Sequence, residues 1–306
     1  MMNSIVRRVT VSIAVAAALT GAAACSGSGS DGGSRGDGEG SAADGKGAGE
    51  ARTRTDAIVA LRSVEKSTGG ADSAKVESTT TMGTMMSMKA DGALGWADGL
   101  TGNLTITYTG GTMADQMRQL GTTSMEARYL PDAYYAKMGD KFAEQSGGKH
   151  WIKYDYDDLA KLAGGSGAYM KDQMQNTTPN QSVKLLLASG DVEKVGEEKV
   201  RGEDTTHYSG TVDVADLAGR NSSLSASQLA DLKSQLEQAG VTTETIDIWV
   251  NDKDLLVKKA EKGELATGSM SSTAYYSDYG VEVAADEPAA GDTADFKDLV
   301  RSRPTG

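Results

Sequence analysis

The fold is decided by two stretches near the C-terminal end of the chain, DVEKVGEEKVRGEDTTHYSGTVDV (191–214) and IDIWVNDKDLLVKK (246–259). Both are rich in β-branched and aromatic residues and contain a polar turn near their centre, which is typical of β-hairpins. The first stretch predicts strands over 191–200 and 205–214. In the second, Asn251–Asp254 is interpreted as the hairpin turn, because Asn and Asp tolerate turn geometry.

The same strand pattern extends on both sides of these hairpins. Segments rich in Thr, Val, Ile and Tyr alternate with short Gly- or Pro-containing connections. One of them, 124–138, predicts a hairpin that turns at Pro131-Asp132. Further strand predictions fall within 74–90, 102–109, 150–154, 244–251, 255–265, 268–277 and 281–284.

Helical spacing of apolar residues appears between the strand-rich parts. A first helix is predicted to begin at Thr55 as N-cap, and another over 157–163 is assigned Asp157 as its cap. The remaining helices are predicted at 168–175, after Pro179 with Val183, Leu186 and Leu187 up to Gly190, and at 226–239. The order of elements indicates an α+β fold with a large antiparallel sheet and its helices on one face.

The two hairpin stretches, followed by YYSDYGVEV (275–283), make the chain resemble actinobacterial cell-envelope lipoproteins. It is similar to the mycobacterial LppX/LprG family and, more distantly, to the LolA carrier fold. The resemblance implies a strongly curved, unclosed antiparallel β-sheet (a half-barrel) with helices packed across its concave face. It also implies, in some members, an apolar cavity that takes acyl chains. A possible acyl-chain or glycolipid ligand follows from this resemblance alone.

The N-terminus predicts export and a lipid anchor at Cys25, the single cysteine of the chain. A short basic start, an apolar run and small residues before the cysteine are the parts of a signal peptide. The division predicted from composition is a signal peptide at 1–24, a lipidated cysteine with a disordered Gly/Ser-rich tether at 25–54, one domain at 55–300 and a tail at 301–306.

The residues before Cys25 leave an alternative open. A bacterial lipobox usually has leucine three residues before the cysteine, and this chain has Ala22 there. Cleavage by an ordinary signal peptidase after Ala24 would leave Cys25 as an unpaired exported thiol.

Composition excludes several classes of function. The formal net charge of −12 disfavours nucleic acid and electrostatic docking on anionic lipid. Only His150 and His207 could act as an imidazole base, and no nucleophile motif lies near either one, so no catalytic residue is expected. The ligand types and spacing predict neither a zinc nor a calcium site, and no cofactor is expected.

Methionine is the unusual chemical feature, because Met82, Met85, Met86 and Met88 fall within seven residues. On a single strand, Met82, Met86 and Met88 would share one face and Met85 would point to the other. Three interpretations remain open: filling of an irregular core, lining of a cavity for a flexible apolar ligand, and binding of Cu(I), which soft thioethers select.

The cavity interpretation adds Met170 and Met174, which lie one turn apart on a predicted helix. The leading hypothesis is therefore a lipid-anchored, non-catalytic envelope protein that binds or carries a lipid-like apolar molecule. The alternative is a structural or interaction module whose interior is filled by its own side chains. A protein partner cannot be identified from the sequence.

Overall fold

A computed structural model describes residues 44–162, 171, 178–213, 243–265 and 268–301 of the 306-residue chain. Within these residues the protein forms twelve strands and six helices, which confirms the α+β prediction. The strands are β1 (Ser73–Met82), β2 (Met86–Gly95), β3 (Thr101–Gly110), β4 (Ser124–Tyr129), β5 (Ala133–Lys137), β6 (Trp151–Asp155), β7 (Glu193–Val200), β8 (Glu203–Asp213), β9 (Thr243–Asn251), β10 (Leu256–Leu265), β11 (Gly268–Ser277) and β12 (Thr293–Asp295).

The helices are distributed along the whole described chain. They are α1 (Asp44–Gly69), α2 (Gly111–Gln119), α3 (Asp140–Gln145), α4 (Tyr156–Leu162), α5 (Asn180–Ser189) and α6 (Phe296–Arg301), with a 3₁₀ turn at Ala290–Asp292. Gly190 ends α5 in the left-handed conformation, with φ of 68°, as its position after an apolar stripe predicted.

All twelve strands belong to one sheet in the order β12-β6-β5-β4-β3-β2-β1-β11-β10-β9-β8-β7. Neighbours are antiparallel except β12 and β6, which run parallel. The order is linear, so within the described residues β12 and β7 are the two free edges and the sheet is not closed. The unclosed antiparallel sheet predicted from the resemblance is confirmed, with one parallel pair at its edge.

The sheet curves around its helices. Twelve flat strands would span about 50 Å, far more than two helices can cover. A single core cluster nevertheless joins Leu61 of α1 and Leu186 of α5 to Val212 of β8 and Ile152 of β6, near opposite edges. Helices α1 and α5 therefore lie across the concave face, as expected for a half-barrel.

Alternation along each strand determines which side chains reach this core. In β1, Ala74 and Val76 are buried, whereas Lys75 and Glu77, which follow each of them, are exposed. The register of the pairs carries the same alternation from strand to strand, because directly paired residues share a face.

One end of the half-barrel is closed by contacts from the end of α1. The Trp96 indole N–H donates to the Gly69 carbonyl at 3.2 Å, and the Leu256 N–H donates to the Thr68 hydroxyl at 3.1 Å. The Tyr279 hydroxyl donates to the Leu256 carbonyl at 2.5 Å. The first two bonds fix the C-terminal turn of α1 to Trp96, which follows β2, and to β10.

Two predicted hairpins are confirmed. Strands β4 and β5 connect at Pro131-Asp132. Between β9 and β10, the Asn251 side-chain oxygen accepts hydrogen bonds from the N–H groups of Lys253 and Leu255, at 3.1 and 3.0 Å. This side chain makes the turn that its residue type favours.

Three local predictions are wrong. Helix α1 begins at Asp44 rather than Thr55: Glu50, Ala51 and Arg52 are good helix formers that continue the helix before Thr55, whereas Gly45, Gly47 and Gly49 ahead of them are poor ones. The segment 74–90 is not one strand but the β1–β2 hairpin, which turns where Gly83 adopts φ of 46°. Helix α4 is capped by Asp155, whose carboxylate accepts from the N–H groups of Asp157 and Asp158, both at 3.0 Å.

The predicted strand at 281–284 is also wrong. Its carbonyl groups accept side-chain hydrogen bonds instead of pairing with a strand: Ser73 donates to Val281 and Asn103 donates to Ala284, both at 2.6 Å. Arg128 continues this series by donating to the Asp286 carbonyl at 2.9 Å. The segment 281–289 is thus a strap that crosses β1, β3 and β4 on the convex side of the sheet.

Candidate functional site on the concave face

The methionines form one end of the concave face. Met82 pairs directly with Met86 of β2 on one side and with Met270 of β11 on the other. Met88 lies two residues beyond Met86 and therefore shares its face. Met82 and Met86 are 3% and 0% exposed, whereas Met88 and Met270 are half-buried. Met85 lies in the β1–β2 turn and is 39% exposed.

The other predicted site residues lie outside the described part of the chain. These are Cys25, Met170 and Met174, together with the helices predicted at 168–175 and 226–239. The structure therefore brings Met82, Met86 and Met88 together, and the cavity prediction for the full set stays a prediction.

A polar cluster that sequence reasoning missed lies on the same face, where the row of paired residues from Met88 through Thr80 and Ser272 reaches Glu261. Lys259 Nζ is 2.8 Å from Glu261 Oε1 and 3.1 Å from the Ser182 hydroxyl. Ser182, on α5, donates to the same Glu261 oxygen at 2.6 Å and is 1% exposed. The Lys259 and Glu261 side chains are 16% and 15% exposed, so this ion pair is buried between α5 and β10.

Burial and pairing have opposite effects on the pKa of Lys259, and also on the pKa of Glu261. Burial disfavours the charged form of Lys259, but the Glu261 carboxylate outweighs this effect and raises the lysine pKa above its usual value. Burial likewise disfavours the charged form of Glu261, and Lys259 and Ser182 together lower its pKa below the usual value. Both residues are therefore ionised at neutral pH.

A second carboxyl group, that of Glu244, stands near this pair. Glu244 precedes Ile246 on the concave face of β9 and pairs with Gly263 of β10. Burial and, secondarily, the nearby Glu261 carboxylate raise its pKa to about 8. Glu244 is therefore mostly protonated at neutral pH.

The opposite wing of the concave face is lined by tyrosines. Tyr129 of β4 pairs with Tyr134 of β5, which pairs with Tyr154 of β6. Their ring centroids are 5.0 and 5.7 Å apart, and Phe296 of α6 follows Tyr154 at 4.7 Å. We call Tyr129, Tyr134, Tyr154 and the neighbouring Tyr156 the tyrosine wing.

Burial keeps the tyrosine wing neutral. It raises the pKa of Tyr129 to about 12 and that of Tyr134 well above its usual value. The Tyr156 hydroxyl is fully buried, and it has no hydrogen-bond partner among the described residues. The wing therefore contributes an aromatic surface with uncharged hydroxyl groups.

Each of the two histidines contacts a carboxylate. His207 pairs with Trp249 on the convex side, stacks on that ring at 4.2 Å and lies 2.9 Å from Asp247 through Nε2. His150 Nδ1 lies 2.7 Å from Asp292 in the 3₁₀ turn next to β12. Both imidazoles are thus held by carboxylates that join neighbouring segments.

The acidic segment 155–158 is also explained by structural contacts. Asp155 caps α4, and Lys297 of α6 donates to Asp158 at 2.8 Å. In the described ranges, no group of three or more His, Cys, Asp or Glu side chains is arranged to hold a metal ion. Of the helices described, none combines the length and apolar character needed to cross a bilayer.

The sequence offered one signal for the missed cluster. The run KKAEKGE at 258–264 belongs to an alternating strand, so half of its charges must face the core side of the sheet. A strand of that composition near the middle of a sheet is unusual, because Lys and Glu are rarely buried unless paired. The contribution of Ser182 has no local signal, since its helix is remote in sequence.

Known proteins similar to this chain are found among actinobacteria. No protein-family model matches the chain. An uncharacterised 31.2 kDa protein of Streptomyces griseus is 62% identical over 250 residues, which cover 81% of this chain and 82% of the relative. A protein of Streptomyces coelicolor named "Putative lipoprotein" is 59% identical over 244 residues, covering 80% of this chain and 76% of the relative.

Two solved structures of mycobacterial lipoproteins are also similar. LppX of Mycobacterium tuberculosis has 15% identity and a TM-score of 0.46, covering 76% of this chain and 99% of LppX. LprF of Mycobacterium bovis has 16% identity and a TM-score of 0.44, covering 77% of this chain and 98% of LprF. On the extent of its identity to the two Streptomyces proteins, the chain belongs to their family, a family of actinobacterial lipoproteins.

Proposed function

We propose that this protein is anchored by a lipid on Cys25 and binds the acyl chain of a lipid-like ligand between the concave face and its helices. The anchor is supported by the export signal before Cys25 and by the relative whose name includes "lipoprotein". In this proposal, residues 1–24 are removed and 25–54 connect the lipid to the domain at 55–300. Mass spectrometry of protein extracted from envelopes should find the diacylglycerol on Cys25, and an unmodified cysteine there would contradict the proposed anchor.

The observation that supports ligand binding is that the methionines of the concave face differ in how deeply they are buried. Met82 and Met86 are packed on all sides, whereas Met88 and Met270, on the same face, are half-buried. Half-buried thioethers next to a packed apolar floor can adapt to an acyl chain, because methionine is flexible and polarisable. Cavity residues proposed from the sequence are Met82, Met86, Met88, Met170 and Met174.

Binding is proposed in place of catalysis. The concave face presents methionine thioethers, the neutral tyrosines and the Lys259–Glu261 ion pair. His207 pairs with Trp249 on the convex side, and His150 contacts Asp292 in the 3₁₀ turn, so neither imidazole is assigned as a base for the proposed ligand.

Met88→Trp tests the acyl site. The indole should occupy space that the chain of the ligand would use, so displacement of a fluorescent fatty acid should weaken by about tenfold, while the melting temperature changes little. The matched control is Met85→Trp, since Met85 lies in the exposed turn and should leave binding unchanged. The proposal fails if the wild-type protein binds no acyl probe, or if the two variants weaken binding equally.

A module without a ligand remains the second candidate, and the burial of Met82 and Met86 favours it. Side chains with almost no exposed surface are filling the core, where methionine commonly fits irregular gaps. Under this candidate, Met88→Trp changes stability only and native mass spectrometry finds no bound lipid. Retention of Cu(I) by the wild type, lost in Met86→Leu, would support the copper interpretation instead.

A further inference from the structure

Helix α1 determines where the chain enters the domain. Its C-terminal turn is held at the closed end of the half-barrel, where the Leu256 N–H donates to the Thr68 hydroxyl. Nearer its N-terminus, Arg54 Nη2 lies 3.3 Å from Asp191 Oδ1. Asp191 packs directly on β8, because a Cβ atom placed on Gly210 would lie 2.0 Å from the Asp191 carbonyl oxygen.

The position of Gly210 shows which end of the strands α1 has reached at Arg54. A row of directly paired residues runs from Gly210 through Ile246, Glu261, Ser272 and Thr80 to Met88. Arg54 is therefore level with Met88, and the part of α1 before it extends about 15 Å further, away from the closed end. We call this the methionine end, because it contains Met82, Met86 and the β1–β2 turn.

The chain thus enters the domain at the methionine end. The segment 26–43, eighteen residues long, separates Cys25 from the start of α1. A chain of this length reaches at most about 60 Å, and a flexible Gly-rich one has an r.m.s. span of about 23 Å. The closed end lies further away by the length of a ten-residue strand, about 33 Å. A lipid on Cys25 would therefore bring the bilayer nearer to the methionine end than to the closed end.

The charges at the two ends favour the same orientation. The described connections at the closed end contain Arg201, Lys253 and six exposed aspartates: Asp72, Asp98, Asp132, Asp252, Asp254 and Asp278. Those at the methionine end are nearly balanced, with four acidic residues and three basic ones: Asp115, Asp140, Glu144, Asp191, Arg118, Lys141 and Lys149. An anionic bilayer surface would therefore repel the closed end more strongly.

The outer surface of the methionine end is formed by the β1–β2 turn and by α2. Helix α2 begins on this turn, where the Met113 N–H donates to the Met85 carbonyl at 3.0 Å and the Thr112 N–H donates to the Thr84 carbonyl at 3.2 Å. The Met85 side chain is 39% exposed. It therefore offers an apolar contact to a surface outside the domain.

We propose that the methionine end, with the β1–β2 turn and α2, is the surface that rests on the bilayer holding the Cys25 lipid. The inference rests on the anchor in the proposed function and goes beyond it, because it assigns one end of the domain to the membrane. In this orientation the half-buried Met88 and Met270 lie at the bilayer end of the concave face. The acidic closed end points away from the bilayer.

The test uses lipidated protein with one introduced cysteine, because the lipid blocks the sulfur of Cys25. Met85→Cys at the methionine end, Thr105→Cys in the middle of the convex side and Asp252→Cys at the closed end are exposed positions. Each carries a fluorescent donor and is reconstituted in vesicles of phosphatidylcholine and phosphatidylglycerol with an acceptor on the lipid headgroups. Energy transfer should fall in that order, by at least about twofold between the ends, because about 33 Å of strand separates them.

A second position at the methionine end is Thr112→Cys, which is exposed at the start of α2 and should match Met85→Cys. Protein with both Cys25→Ser and Met85→Cys lacks the lipid and sets the background. Equal transfer from both ends, or more from Asp252→Cys, in protein that floats with the vesicles would overturn the orientation and leave the anchor intact. Lipidated samples that do not float with the vesicles would overturn the anchor and, with it, this orientation.

Discussion

The two wings of the concave face bury polar groups in different ways. On β4 to β6, the tyrosine wing buries neutral hydroxyls, one of which has no partner among the described residues. On β9 to β11, the buried groups are charged, and Lys259, Glu261 and Ser182 are joined by three short contacts. The difference follows from desolvation, because a neutral hydroxyl can be buried without a partner at modest cost, whereas a charge cannot.

The largest effect should come from breaking the buried ion pair of Lys259 and Glu261. Lys259→Met leaves Glu261 buried without its counter-ion, and loss of one partner of a buried pair typically costs about 3–5 kcal/mol in free energy of unfolding. Chemical denaturation at pH 7 measures this loss in free energy of unfolding. The double variant Lys259→Met/Glu261→Met should recover most of the loss, since no uncompensated charge remains. A double variant no more stable than Lys259→Met would show that the loss does not come from the uncompensated charge of Glu261.

Glu244→Gln should have the next largest effect, and its sign depends on pH. The unfolded chain loses the Glu244 proton near its usual pKa of 4.5, whereas the folded protein holds it until about pH 8. The folded state therefore binds more protons in this interval, and wild-type stability falls as pH rises from about 4.5 to about 8.

Because glutamine does not titrate, Glu244→Gln should remove this decline and be the more stable protein at pH 8, by about 2–4 kcal/mol. Denaturation midpoints measured at pH 5 and pH 8 in both proteins check the prediction. Parallel declines in wild type and variant would show that Glu244 is not the responsible group. Glu264→Gln, on the exposed face, should reproduce the wild-type curve.

The smallest effect is expected in the tyrosine wing. Tyr156→Phe removes a buried hydroxyl that has no described partner, so the free energy of unfolding should stay the same or rise by up to about 1 kcal/mol. Tyr135→Phe is the contrasting variant, because the Tyr135 hydroxyl donates to Glu287 at 3.0 Å on the convex side. If Tyr156→Phe destabilised the protein more than Tyr135→Phe, the Tyr156 hydroxyl would have to be hydrogen-bonded in solution.

Local chemistry explains which elements the sequence could predict. The turn at Asn251 and the end of α5 at Gly190 depend on one residue each, and that residue is suited to the geometry found. The first part of the strap, 281–284, was predicted as a strand because its composition suits an extended chain. What distinguishes it is the side chains of Ser73, Asn103 and Arg128, which are remote in sequence.

The candidate site was less accessible to prediction. The methionines were visible as a local cluster, and their common face follows from strand alternation. Met270 joins them only through the β1–β11 pairing, and Ser182, which bonds to both Lys259 and Glu261, comes from the remote helix α5. Contacts between remote segments leave no local pattern, which is why the cluster of Lys259, Glu261 and Ser182 was not predicted.

The central position of the β1–β11 pair has a consequence for how the chain acquires its structure. β1 is the first strand of the sheet and β11 is the eleventh, yet they are neighbours at its middle. During synthesis one edge of β1 stays unpaired until nearly the whole chain has been made, because its partner β11 is the second-to-last strand of the sheet. Sheets built from such distant pairs fold slowly and expose pairing edges meanwhile. A chain truncated before residue 268 should therefore aggregate rather than persist as a smaller soluble half.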